Sequence, residues 1–328
     1  MELYPHIKPH LSEVEGLMEA GLGAQDKRVY GMLAPFIRRG GKRIRPVLCL
    51  LSCGASGGSY ADAVRPASII EMFHNFTLIH DDIEDGAQFR RGEPALHVSH
   101  GVAVALNSGD ALYTLLWGQL VTLDMSASRL VKLQKLYAAA FKRVVDGQGI
   151  EISWIKDGRF DVSEKEYIDM INGKTSALMG LSCESGSFMA NSRAPLRRAL
   201  REYGELIGTA FQIQDDVLNL TGEFSKYQKE IGGDISEGKR TLMVVHCLSH
   251  APGPDRERLA SILSSHTRDE RQIREAISIM GRSGSVEYAR QMAISLIAAA
   301  RKRVSRLPDS TDKQALLSIA DYVVRREK

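Results

Sequence analysis

The 328-residue sequence is short of cysteine, of net charge, of strand-like alternation and of uninterrupted apolar runs. Four cysteines, Cys49, Cys53, Cys183 and Cys247, are too few in a chain of this length to make a disulfide framework. Cys49 and Cys53 fall one helical turn apart among Val, Leu and Ser, so they read as buried free thiols in a reducing cytoplasm. Lys and Arg total 43 against 40 for Asp and Glu, a net charge of +3. That balance argues against a general nucleic-acid or membrane-surface binder. The opening MELYPHIKPHLSEVEG has two prolines and acidic residues where an export signal needs an apolar stretch, so the expected location is the cytoplasm. Only the stretch 101–123 approaches bilayer length, and Asn107, Ser108, Gly109, Asp110 and Gln119 interrupt it. The expectation there is a helix buried on most sides of a bundle, with no membrane span.

What the sequence does have is apolar residues at three-to-four spacing almost throughout. This predicts an all-α protein, with helices over 9–22, 27–38, 44–54, 60–86, 101–123, 128–156, 163–189, 196–222, 240–250, 269–281, 285–306 and 311–326. Breaks fall at Gly40-Gly41, 54–59, 91–94, Gly158, 226–238 and 252–254. No low-complexity linker or shift of composition divides the chain, so residues 1–328 read as one domain.

Two carboxylate clusters stand out. The first, Leu78-Ile79-His80-Asp81-Asp82-Ile83-Glu84-Asp85, puts Asp81 and Asp85 one turn apart on one helix face, with Asp82 beside them. Like charges at this spacing repel, and they follow the largely apolar run 73–79, which points to a cation at the edge of an apolar cavity. The second cluster, Phe211-Gln212-Ile213-Gln214-Asp215-Asp216-Val217-Leu218-Asn219, repeats the pattern with Gln212 one turn ahead and Asn219 in the last place. One copy reads equally well as a solvated acidic helix end; two copies after apolar helical runs favour a metal. Mg2+ suits them, because it binds through one or two carboxylates together with substrate phosphates.

Substrates carrying phosphate also need cationic side chains, and short basic groups lie at the breaks. Gly40-Gly41-Lys42-Arg43-Ile44-Arg45-Pro46 offers backbone N–H groups at a helix start together with Lys42 and Arg45. Arg90-Arg91-Gly92 follows the first cluster; Lys174-Thr175, Lys229 and Lys239 complete the set. His74, two turns before Asp81, reads either as a wall of the same chamber or as a core histidine. Glu71 to His74 has the spacing of a di-iron half-site but lacks a second pair. The run 233–239 has P-loop spacing, but Arg240 stands where Ser or Thr is needed and no strand precedes it.

These motifs, with Gly147-Gln148, Gly232-Gly233-Asp234 and Glu237-Gly238-Lys239, occur in the order found in trans-isoprenyl diphosphate synthases, which the sequence resembles from about residue 35 to 245. The resemblance implies a helical isoprenoid synthase bundle around a central cavity between the aspartate-bearing helices, a homodimer, and Mg2+-dependent condensation of an allylic prenyl diphosphate with isopentenyl diphosphate. By the same resemblance Asp81, Asp85 and Asp215 are metal ligands with Asp82 and Asp216 beside them. Lys42, Arg45, His74 and Arg91 hold isopentenyl diphosphate. Arg90, Lys174, Thr175, Gln212, Lys229 and Lys239 hold the allylic diphosphate, and the tail Arg325-Arg326-Glu327-Lys328 resembles one that closes over the site. Catalysis rests on Lys174, Thr175, Gln212, Asp81 and Asp215.

The two residues between Asp82 and Asp85, Asn219 in place of Asp, and Phe76 with Thr77 ahead of Asp81 all resemble geranylgeranyl diphosphate synthases, where an aromatic ring floors the pocket. Phe73, further toward the start of the same helix, would be a second floor. An ideal helix puts Phe76 roughly 140° around from Asp81, so this assignment of product length rests on resemblance. The alternatives are a farnesyl or longer-chain synthase, a class I terpene cyclase and a non-catalytic partner subunit. The cyclase lacks its second metal motif here, and a non-catalytic subunit would have lost the aspartates.

Overall fold

A computed structural model describes residues 4–23, 25–221 and 232–325. Lys229 and residues 326–328 of the basic tail lie outside that set. In chain order the first helices are α1 (Lys8–Gly23), α2 (Lys27–Tyr30), α3 (Leu33–Arg38), α4 (Ile44–Ala55) and α5 (Tyr60–Glu84). A two-stranded ribbon follows, β1 (Phe89–Arg90) and β2 (Glu93–Pro94), then α6 (Leu96–His100), α7 (Val102–Val121), α8 (Ala127–Lys156) and α9 (Glu164–Ile171). A π-helical turn, Asn172–Ser176, joins α9 to α10 (Ala177–Met189), and α11 (Ala194–Thr221) follows. The remaining described helices are Gly233–Ser236, Leu242–His250, Gly253–Ser264, Glu270–Arg282, Ser285–Val304 and Thr311–Arg325. The all-α expectation is met.

The chain divides into two compact units. The first comprises residues 1–141, 178–201 and 306–316, and α5 is its central helix, packed against α1, α4 and α7. Apolar residues on every side of α5, among them Val64, Ile69, Ile70, Met72, Phe73 and Ile79, explain that central position. Pro66 lies inside α5, and its carbonyl accepts a hydrogen bond from the buried Tyr137 hydroxyl at 3.0 Å. The second unit comprises residues 142–177, 202–305 and 317–328. There Leu242–His250 packs against α9 and Ser285–Val304, and Glu270–Arg282 turns Ala276, Ile279 and Met280 inward.

Several expectations need correction. The helix expected over 163–189 is interrupted by the π turn, and the one over 27–38 breaks at Gly31-Met32. Residues 252–254 read as a break in the sequence, yet a helix, Gly253–Ser264, starts there; a proline in the first turn starts a helix readily, since its missing N–H would have had no helical partner. Helix α7 is buried on one side only, leaving Val102, Leu106 and Val121 about half exposed. Cys49, Cys53, Cys183 and Cys247 are buried and free. Among the described residues no helix is long and apolar enough to cross a membrane.

Candidate active site

The last turn of α5 separates its aspartates by environment. Asp82 is buried, and its Oδ1 accepts from Arg90 Nε at 2.7 Å and also from Arg90 Nη2, while its Oδ2 is buried with no hydrogen-bond partner among the described residues. Burial pushes the Asp82 carboxyl above its ordinary pKa, against the pull of Arg90. Asp81 and Asp85 are only half-buried, and Arg90 Nη2 lies 3.6 Å from Asp81 Oδ2. Two carboxylates of the motif thus reach solvent while the third orients Arg90. The ribbon makes this possible: Arg90 pairs with Glu93, and the turn between them, Arg91-Gly92, has positive φ at both residues (56° and 79°), as a two-residue hairpin turn requires.

A basic group gathers around Glu71 of α5. Arg43, a buried residue with φ 48°, donates to Glu71 Oε1, to Glu15 Oε1 and to the Ile37 carbonyl at 3.0, 3.0 and 2.9 Å. This buried bridge fixes the start of α4, and with it Arg45. Arg45 Nε and Arg91 Nη1 are buried donors with no partner among the described residues, a costly state that an anion would relieve. Burial lowers the pKa of Arg45, and lowers that of Arg91 to about 10. Gly41 has positive φ and faces the Arg91 guanidinium, where an added Cβ would lie 2.8 Å from Nη2. Lys42 is exposed on the same loop. His74 is held well below its ordinary pKa by burial and by the charges of Arg45, Arg91, Arg90 and Arg43. His74 thus lies close enough to Arg45 and Arg91 for their charges to bear on its imidazole.

In the second unit a chain of hydrogen bonds links the other residues. Thr175 Oγ1 donates to Gln212 Oε1 at 3.0 Å, Gln212 Nε2 donates to Asp216 Oδ1 at 2.8 Å, and Tyr167 donates to Asp216 Oδ2 at 2.9 Å. Asp216 is buried; burial first and then the charge of Asp234 raise its pKa, against the pull of the hydrogen bonds from Gln212 and Tyr167, which favour its charged form. Asp215 is half-buried. Asn219 is also committed: its side-chain oxygen accepts from the Asp234 backbone at 3.2 Å, at the start of helix Gly233–Ser236. Lys174 Nζ sits 2.5 Å from Glu151 Oε2, and Lys239 pairs with Glu237.

Lys174 and Thr175 ride on the π turn, a widened turn that recurs at functional sites. Arg143 donates to the Asn172 carbonyl at 3.1 Å, and Thr209 donates to Asn172 Oδ1 at 2.9 Å. Gly147 of α8 lies directly against it, where an added Cβ would fall 2.2 Å from the Lys174 nitrogen. Glu71, Glu151 and Tyr167 were not anticipated; Glu151, one turn after Gly147 on the same helix, was the most accessible to pattern reasoning. Among the described residues no group of three or more His, Cys, Asp or Glu side chains is gathered to hold a metal ion by protein ligands alone. Half-exposed carboxylates of this kind suit a hard cation shared with substrate phosphates.

Below Asp81, α5 carries a column of rings. His80 and Phe76 lie 4.6 Å apart, Phe76 and Tyr113 5.1 Å, and Phe76 and Phe73 5.5 Å; Phe73 stacks flat on Phe141 at 3.6 Å. Thr77 turns its hydroxyl back to the His74 carbonyl at 2.8 Å.

Helices that carry half-exposed aspartates near their ends, with a buried unpartnered nitrogen on each of Arg45 and Arg91 near one of them, suit anionic, phosphate-bearing substrates. Residues 26–280 match the family model of polyprenyl synthetase. The sequence is 40% identical over 291 residues to a short chain isoprenyl diphosphate synthase of Methanothermobacter thermautotrophicus, covering 89% of this chain and 88% of the relative. The fold is similar to a geranylgeranyl pyrophosphate synthetase of Pyrococcus horikoshii, with TM-score 0.93, 32% identity and coverage of 99% and 98% of the two chains. It is also similar to a polyprenyl synthase of Caulobacter crescentus complexed with calcium and isoprenyl diphosphate, with TM-score 0.91, 26% identity and coverage of 99% and 97%. The chain belongs to the polyprenyl synthetase family. It is a trans-prenyltransferase that condenses isopentenyl diphosphate with an allylic diphosphate.

Proposed function

We propose that this chain is a geranylgeranyl diphosphate synthase, working as a single-domain, Mg2+-dependent, cytoplasmic homodimer. The observation that carries the product length is the ring column, in which Phe76 leans on Tyr113 and Phe73 stacks on Phe141. A growing hydrocarbon lying along α5 meets Phe76 first and the Phe73–Phe141 pair about 4.5 Å further on, at 1.5 Å per residue. A farnesyl product is the second reading, which the short chain description of the Methanothermobacter relative admits alongside C20.

By resemblance Asp81, Asp85 and Asp215 are the residues that would hold Mg2+, with Asp82 hydrogen-bonded to Arg90 and Asp216 to Tyr167 and Gln212 beside them. Bound there, Mg2+ would supply positive charge against a diphosphate leaving group. Arg45, Arg91, Lys42 and His74 take the diphosphate of isopentenyl diphosphate; the unpartnered donors of Arg45 and Arg91 support this. Arg90, Lys174 and Lys239 take charge on the allylic headgroup, and Lys229 has the same role by resemblance. Cleavage of the allylic carbon–oxygen bond releases pyrophosphate and leaves an allylic cation. The isopentenyl double bond attacks it, forming the new carbon–carbon bond, and pyrophosphate removes the proton that restores a double bond. The oxygens of Thr175 and Gln212 stabilise the cation without capturing it, and apolar walls keep water away. The half-exposed apolar residues of α7 support a homodimer that covers them.

The test compares wild type, Phe76→Ala and Phe76→Ala with Phe73→Ala on farnesyl and isopentenyl diphosphates. Products should lengthen from C20 in the single variant and further in the double. A wild type that stops at C15, or variants with unchanged product length, would defeat the C20 assignment.

A further inference from the structure

Tyr167 is buried on α9, and its hydroxyl donates to Asp216, whose other oxygen is taken by the Gln212 amide. We propose that Tyr167, acting through Asp216, is a positioning residue that fixes which way the Gln212 amide faces. The inference rests on the reading that the Gln212 oxygen serves the allylic substrate.

A primary amide has nearly the same shape after a 180° flip, so its direction is set by its neighbours. Asp216 Oδ1 accepts, and therefore draws Gln212 Nε2 at 2.8 Å; the amide oxygen is left for the Thr175 hydroxyl at 3.0 Å. This works only while the Asp216 carboxylate is held still. A buried carboxylate needs donors on both oxygens, and Tyr167 supplies the second at 2.9 Å. The segment from Tyr167 to Thr175 therefore furnishes both ends of the chain of bonds, Tyr167 before the π turn and Thr175 within it. With the Tyr167 hydroxyl removed, Asp216 is free to rotate and the amide oxygen loses its fixed direction.

The experiment is a double-mutant cycle on the full chain with Tyr167→Phe, Gln212→Ala and the pair, measuring kcat and both KM values per folded molecule, with melting by circular dichroism. Tyr167→Phe keeps the ring and should lower kcat about tenfold with both KM values within about twofold of wild type. In the Gln212→Ala background the same substitution should change kcat by less than about twofold, because no amide remains to be aimed. An equal tenfold loss in both backgrounds, or unchanged kcat in Tyr167→Phe alone, overturns the proposal. A wild-type kcat in Gln212→Ala would instead reject the underlying role of Gln212.

Discussion

Gly147→Ala should cost far more activity than stability. In wild type the α8 backbone touches the π turn: a Cβ at Gly147 would lie 2.2 Å from the Lys174 nitrogen, 2.8 Å from the Met170 carbonyl oxygen and 2.9 Å from the Gly173 carbonyl carbon. All three neighbours are backbone, so no flexible side chain can yield, and α8 and the turn must separate by roughly 1 Å. Overpacking of this sort costs about 1–3 kcal/mol, while exchanging Gly for Ala inside a helix returns up to about 1 kcal/mol. The net stability loss should therefore be at most about 3 kcal/mol. Lys174 and Thr175 ride on the displaced turn, and a shift of about 1 Å at reacting groups can cost on the order of 100-fold in rate. The assay is turnover with radiolabelled isopentenyl diphosphate, alongside thermal melting. Gly149→Ala is the control, since nothing lies within 4 Å of its added Cβ; it should melt at or slightly above the wild-type temperature with unchanged turnover. A Gly147→Ala protein that matched the control in both measurements would refute the reasoning.

Asp81→Ala and Asp215→Ala should each lower Mg2+-dependent turnover by orders of magnitude while leaving the helical circular dichroism intact, because half-exposed carboxylates contribute little to packing. Arg45→Ala should chiefly raise KM for isopentenyl diphosphate, by about 10- to 100-fold for a lost charge-assisted contact of about 1.5–3 kcal/mol. Lys174→Ala should chiefly impair use of the allylic substrate; kinetics with each substrate varied in turn separate the two effects, and equal changes in all parameters would remove the division of roles.

Helical periodicity was legible because most of the helices bury an apolar stripe, which is a local property of the sequence. The aspartates and arginines were legible because they follow one another closely along α5 and the ribbon. The π turn was not, since it is set by contact with Gly147, about 25 residues earlier, and by Arg143 and Thr209. The Arg43–Glu71 bridge joins residues 28 apart, and no spacing rule links them. The unequal environments of Asp81 and Asp82 were equally hidden: adjacent letters in the sequence, both lie near Arg90, but only Asp82 is buried and hydrogen-bonded to its Nε. Phe76, which a helical wheel turns away from Asp81, is tied to α5's own end through His80 and to α7 through Tyr113.

The most direct test of the account is product chromatography after the purified chain is incubated with isopentenyl diphosphate and each of the C5, C10 and C15 allylic primers, with and without Mg2+. The account predicts elongation of the accepted primers to a common C20 diphosphate, and no product after chelation. Metal-independent condensation, or conversion of a primer in the absence of isopentenyl diphosphate, would contradict it.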